Sequence, residues 1–339
     1  MTKSPLISII VTSYTPERLE DVCELLDSIK AQTYPDIETI FIAERSRILA
    51  NMVGSHARKI GMKSFKGLFN SGQPGASAAR NMGIQQASGE IIAFADDDAV
   101  LFPDWAGEMV RTFEDLSVIA VTGLSYPLWQ TKAADWLPEE LYWLISCTGW
   151  SKNTETVDAR NIWLQNASFR KEAFKLAGAI DLGLGPRDAG GGFKGREFKD
   201  GIISEEIELS MRIKKATGKR IVCNPRVKIH HKVYSSRLKA GYIARWSYWT
   251  GFSKHKTKKL YPHAGSDLLS QEHDLLKRIL TGVIPGTLPG FFRSPLNAWR
   301  RLSVTVLALS FVALGYFVYS LSFRDTRPKL LIEQKGVGQ

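Results

Sequence analysis

The sequence predicts a doubly wound α/β domain followed by one membrane-spanning helix. Three observations carry that expectation. Strand and helix signals alternate through the N-terminal third, an apolar strand at Ile91–Ala95 runs straight into three carboxylates, and a long uncharged apolar run lies near the C-terminus. At 339 residues the chain exceeds what one hydrophobic core usually organises, so a large α/β domain with an appended segment is expected.

In chain order, Ile7–Val11 is a β-branched run suited to a buried parallel strand, Leu19–Ala31 has helical periodicity, and Glu38–Ala43 is a second strand. Ile48–Ile60 and Ala76–Ala87 read as helices, and Ile91–Ala95 as another buried strand. Such alternation builds βαβ units into a doubly wound sheet. Ligands of these sheets sit beyond the carboxyl ends of the strands, so residues directly after each strand are the candidates for chemistry. Farther on, Gly183–Gly201 reads as a glycine-rich loop, Ser204 as the N-cap of a helix reaching about Thr217, and Arg220–Cys223 and Val227–Ile229 as strand. The expected division is a catalytic domain at 1–235, a basic and aromatic interfacial segment at 236–301, a membrane helix at 302–323 and a polar tail at 324–339.

Leu302–Phe323 carries no charge and is long enough to span a hydrocarbon core of about 30 Å as a helix. Its apolarity is uniform, unlike the one-sided pattern of a surface helix. Arg300 and Arg301 precede it while Arg324, Arg327 and Lys329 follow, so flanking charge leaves its orientation open. Before it, Leu275–Arg293 is broken by Pro285, Gly286, Pro289 and Gly290, which fits an interfacial segment or a linker and not one long helix.

The net charge of +11 and the pI near 9.5 would suit nucleic acid, an anionic membrane or an anionic substrate. Much of the excess lies between Lys199 and Lys259 and around Arg293, Arg300 and Arg301, close to the apolar run. There each cation gains roughly 1 kcal/mol from anionic headgroups. No nucleic-acid-binding signature accompanies the charge, so no nucleic-acid partner is expected. Cys23, Cys147 and Cys223 are odd in number and lack metal-ligand spacing, as reduced core cysteines do. Met1–Pro5 leads into a strand with no signal-peptide core, so the catalytic part is expected to stay in the cytoplasm, on the side of synthesis.

Asp96, Asp97 and Asp98 crowd three carboxylates where a buried strand surfaces. Hard oxygen ligands so placed suit Mg²⁺ or Mn²⁺ bridged to phosphate, with Asp98 and Asp96 as the leading ligands. Thr12, Ser13 and Tyr14 after the first strand, and Glu44 after the second, could hold a nucleoside by hydrogen bonding and stacking. Between Gly75 and Gly83 small residues open a helix, and Arg80 there could grip phosphate bidentately. Glu205 and Glu206 either serve the helix dipole or supply a general base that deprotonates an acceptor hydroxyl, with the glycine-rich loop as a lid. His230 and His231 follow a strand, where a histidine such as His231 could complete the metal shell or meet the diphosphate.

The order of these pieces resembles glycosyltransferase family 2. The matching stretches are ISIIVTSY, GASAARNMGIQQASGEIIAFADDDA, RNIWLQNASFRKEAF and SEEIELSMRIKKATGKRIVCNPRVKIHHKV, which together cover most of residues 5–235. The resemblance implies a GT-A nucleotide-diphospho-sugar transferase fold with a mostly parallel sheet, a nucleotide-sugar donor, and a DxD-type metal site at Asp96–Asp98. It also implies a base at Glu206, where the family more often has Asp; Glu205 is the alternative. The turn after the second strand departs from the family's Asp-Asp-Gly-Ser type, since Glu44, Arg45 and Ser46 stand there. WLPEELYWLISCTGW and HHKVYSSRLKAGYIARWSYWTGFSKHK are similar to archaeal dolichyl-phosphate-sugar glycosyltransferases, glucuronosyl-transferring members included. That likeness implies a polyprenyl- or dolichyl-phosphate-linked glycan as acceptor, contact with membrane lipid, and a place in glycan or protein glycosylation.

Two other readings compete. A processive polysaccharide synthase would carry Gln-x-x-Arg-Trp and several spans; Arg245 and Trp246 are present, but Tyr242 replaces the Gln and one span is too few for a pore. A catalytically silent membrane scaffold would need neither the clustered carboxylates nor a base. The nucleotide loop expected of a nucleotidyltransferase is missing.

Overall fold

The structure, a computed structural model, describes residues 4–148, 154–182, 205–260 and 270–321. The elements expected in the N-terminal third form nearly as read: β1 (Ile7–Ser13), α1 (Leu19–Lys30), β2 (Ile37–Glu44) and α2 (Arg47–Lys59), then, after a strand not expected, β3 (Phe65–Asn70), come α3 (Ala76–Gln86) and β4 (Ile91–Asp96). Then come β5 (Ala99–Leu101), α4 (Trp105–Thr112), β6 (Val118–Trp129), β7 (Val157–Asp158), β8 (Asn166–Arg170), α5 (Glu172–Ala177), α6 (Glu205–Thr217) and β9 (Arg220–Val233). The glycine-rich loop at 183–201 and the Ser204 cap lie outside the described residues.

One sheet runs β3-β2-β1-β4-β8-β6-β9-β5, with β7 on β9. It is parallel through β3-β2-β1-β4, as the βαβ alternation requires. Beyond β4 it is mixed: β8 runs antiparallel to β4 and β6, β9 is parallel to β6, and β5 and β7 run antiparallel to β9. Both faces are covered. Ile91, Ala93 and Ala95 of β4 join a core with Leu25, Phe41, Trp105 and Met109, while Ile92 and Phe94 join one with Ala79, Phe169, Leu209 and Ile213.

The β6–β9 ladder slips between Thr122 and Leu124, where β9 passes from Cys223 to Lys228. Asn166 fills the gap: its amide donates to Leu124 O and Val227 O, each at 3.1 Å, and its Oδ1 accepts from Trp105 Nε1 at 2.8 Å. Gly123 makes this irregularity possible, because a Cβ there would lie 1.8 Å from Val227 O. Gly123→Ala is therefore expected to cost about 2–4 kcal/mol, visible as a lowered midpoint in thermal denaturation; an unchanged midpoint would show that the β6–β9 contact relaxes freely.

The C-terminal part comprises α7 (Ala240–Leu260), α8 (Ser270–Arg278), a π turn at Ile279–Val283, α9 (Ile284–Thr287), α10 (Gly290–Arg293) and α11 (Pro295–Leu321). The helical path is interrupted at Leu288–Pro289 and again at Ser294, whereas Pro285 and Gly286 sit inside α9. The last helix starts at Pro295 and not at Leu302, since Pro at the first helical position costs no hydrogen bond. It is long and apolar enough to cross a membrane by length and composition. α7 and α11 pack with their backbones in contact: a Cβ on Gly251 would lie 1.9 Å from Val312 O, and one on Gly315 would lie 1.9 Å from Tyr248 O. A third core, containing Leu141, Leu144, Val233, Ile243, Val283 and Ala308, joins these helices to the end of β9 and the segment after β6. Glu272 of α8 adds an ion pair to Arg160 at 2.7 Å and another to Lys254 of α7.

Candidate active site

β4 ends at the sheet rim, and the turn to β5 reverses the chain so that Ala99 pairs with His231 of β9. Lys232 N–H also donates to Asp98 O at 2.9 Å. This pairing brings His231 Nε2 to 3.2 Å from Asp98 Oδ1, across 133 positions of sequence (231 − 98). Asp96, Asp98 and His231 each offer a ligand atom within 4.8 Å of the other two. His231 Nδ1 is buried and has no hydrogen-bond partner among the described residues.

Asp98 is 3% exposed, and its ionised form is held by cations. Burial alone would raise its pKa, yet His231, Arg237 and Arg18 together drive it well below the usual carboxylate range. Asp97 goes the other way: burial outweighs the attraction of Arg18, and the Asp98 charge adds repulsion, so its carboxyl is pushed up to about 7. Asp97 Oδ2 accepts from Ser13 Oγ at 2.5 Å. Arg80 Nη2 donates to Asp96 Oδ1 at 3.0 Å.

The two helix carboxylates stand close enough to Arg80 and Asp96 to feel both charges. Burial pushes Glu205 up to about 7; burial and then the neighbouring Glu205 push Glu206 up to about 8. Glu206 Oε1 accepts the Leu164 N–H at 2.7 Å. Glu205 is the more buried of the two, and its Oε2 has no partner among the described residues. The acids of the DDD turn and of α6 thus converge on one rim.

Several expectations change in detail. Strand alternation sends His230 to the opposite face from His231, where it stacks on Phe102 at 4.8 Å, so the two do not act as a pair on a diphosphate. Glu44 is buried and accepts the Gly75 N–H at 2.6 Å, which ties the second strand to the start of α3. Next to Arg80, the Asn81 side chain donates to Ile180 O at 2.8 Å and accepts from Ile180 N–H at 2.9 Å. Thr12, next to last in β1, pairs with Asp96, and Tyr14 directly follows the strand. No local pattern announces Arg18 and Arg237, which reach Asp98 at 3.2 and 3.1 Å, or Asp21, which accepts from Arg18, Lys232 and Tyr234.

The fold is that of GT-A glycosyltransferases, and solved structures share it. The Pyrobaculum calidifontis mannosyltransferase PcManGT, solved with GDP-Man and Mn²⁺, superposes with a TM-score of 0.58 at 17% identity, covering 93% of this chain and 88% of that one. GalNAc-T7, solved with UDP, GalNAc and Mn²⁺, gives 0.52 at 15% identity, covering 82% and 55%. The protein is a glycosyltransferase. Residues 8–176 match the family model described as glycosyl transferase family 2. A Haloferax volcanii protein named glucosyl-dolichyl phosphate glucuronosyltransferase is 28% identical over 319 residues, 93% of this chain and 96% of its own length.

Proposed function

We propose that the protein transfers a sugar, with inversion, from a nucleotide-diphosphate donor of the UDP-sugar type to a polyprenyl- or dolichyl-phosphate-linked glycan. α11 attaches it to the cell membrane as a single-pass anchor, with the catalytic domain in the cytoplasm, where nucleotide sugars are. The observation that carries this reading is the meeting of Asp96, Asp98 and His231 with Glu205 and Glu206 around Arg80. The near full-length likeness to the Haloferax protein supports the lipid-linked acceptor.

Two carboxylates and an imidazole suit Mg²⁺ or Mn²⁺, and the nitrogen ligand fits Mn²⁺ well. Asp96, Asp98 and His231 would hold the ion, whose charge would offset that of a departing diphosphate. Thr12, Ser13 and Tyr14 at the end of β1, with Glu44 across β2, line the edge proposed for the nucleoside, and Ser13 also fixes Asp97. Arg80 positions Asp96. Glu206 keeps one oxygen on Leu164 N–H and takes the acceptor hydroxyl's proton with the other, while the adjacent Glu205 sustains its proton affinity.

The test is a screen of radiolabelled UDP- and GDP-sugars with purified full-length protein, Mn²⁺ and membrane lipid extract. Label from a UDP-sugar is expected in the organic phase; none from any donor in the series would reject a lipid-linked acceptor. Protease protection of residues 324–339 in sealed vesicles checks the orientation, and cleavage on the catalytic side would overturn it.

A further inference from the structure

We infer that Arg18 and Arg237 are a diphosphate-binding pair parked on Asp98, so that the divalent ion binds tightly only together with a nucleotide diphosphate. This rests on the donor class proposed above. Asp98 Oδ2 accepts from Arg18 Nη1 at 3.2 Å and Arg237 Nη2 at 3.1 Å, while its Oδ1 faces His231 Nε2 at 3.2 Å. Both oxygens of a proposed metal ligand are therefore already engaged by donors, two of them permanently cationic.

An ion seated on Asp98 alone would bring two further positive charges against both guanidinium groups in a poorly solvated rim. A diphosphate reverses the balance, because its oxygens can lie between the ion and the arginines. The geometry of Arg237 is prepared for this. Its side chain is held from behind, with Nη1 on Ser146 Oγ at 3.1 Å and on Ile145 O at 3.4 Å, and the residue is 7% exposed. Nε and Nη2 form one edge of the guanidinium, the edge that reads phosphate bidentately. Nη2 sits on Asp98, and Nε is buried with no acceptor among the described residues. A buried donor left unmet is costly, and a phosphate oxygen would meet it. Arg18 is held by Asp21 at 3.0 Å and lies over the Tyr234 ring at 5.3 Å, so its guanidinium can leave Asp98 without losing every partner.

The experiment measures Mn²⁺ binding by electron paramagnetic resonance, and UDP and GDP binding by calorimetry with and without Mn²⁺. It compares the full-length protein with Arg237→Gln, Arg237→Lys and, as the variant at the more open position, Arg18→Gln. Both Gln variants are expected to bind Mn²⁺ alone about tenfold more tightly and the nucleotide with Mn²⁺ about tenfold or more weakly, with Arg237→Lys in between. Shifts of opposite sign are what a merely structural role would not give. Unchanged Mn²⁺ affinity, or both affinities moving in the same direction, would overturn the pairing. Failure of the unaltered protein to bind either nucleotide with Mn²⁺ would instead sink the donor reading, and the pair with it.

Discussion

Asp98→Asn is expected to lower the rate of sugar transfer at least about a thousandfold while the fold persists, because it removes the charge a divalent ion requires and keeps the side-chain shape. The choice of Asn matters. Asp98 is the shared acceptor of Arg18, Arg237 and His231, all within 3.2 Å, and Ala would leave three buried donors without it. Breaking a buried ion pair in that way costs about 3–5 kcal/mol, so loss of activity in the Ala variant would be confounded with loss of structure. In the Asn variant Asp97 can take up part of the lost charge, since the Asp98 repulsion that helps hold its carboxyl up to about 7 is gone. Turnover, circular dichroism and Mn²⁺ binding measured on one preparation decide the matter. Turnover at the unaltered rate would remove Asp98 from the mechanism.

Glu206→Gln should lower the rate about 10²–10⁴-fold with a hydroxyl acceptor and flatten the dependence of kcat/KM on pH. A base must be unprotonated to work, so activity of the unaltered protein should climb as pH rises through about 7 to 8, the range to which burial lifts Glu205 and Glu206. Stability should run the other way. Carboxyls whose folded pKa exceeds the unfolded value of 4.5 stabilise the fold fully below that value, and the contribution is lost as pH rises through 7 and 8. The protein should therefore melt at lower temperature in the pH range where it works fastest, and Glu205→Gln and Glu206→Gln should each melt higher than the parent at alkaline pH. Gln can still accept the Leu164 N–H, which keeps the local contact. A bare lipid phosphate acceptor needs no base, and with it Glu206→Gln should be nearly silent. If both Gln variants keep the parental pH–rate profile on a hydroxyl acceptor, the pair takes no part in proton transfer.

β1, β2 and β4 of the parallel half were legible because they are buried and read as apolar runs, whereas the edge strand β3, FKGLFN, is only partly buried and offers no such run. Ile91–Ala95 differs from the observed strand by one residue, and Leu19–Ala31 overshoots its helix by one. The acids of the DDD turn were legible for the same reason, as charges in the only place a buried strand can release them. β5, β7 and β8 span two to five residues and offer too little pattern, and they are the antiparallel members. The separation of His230 from His231 could have been read from strand alternation alone. Arg18 and Arg237 could not, because 80 and 139 positions part them from Asp98 and nothing local marks a surface arginine that will fold inward.

At Gly251 and Gly315 no side chain intervenes between α7 and α11, so neither helix can roll or slide against the other without main chain striking main chain. One turn along α7 from Gly251, Lys254 grips Glu272, which grips Arg160 near the start of the segment that ends in β8. With α11 seated in a bilayer, as proposed, this linkage would work as a gauge block, setting the altitude of the acidic rim above the lipid. An acceptor glycan too short to climb to that altitude, or too long to stop there, would be passed over before any pocket had examined its sugars.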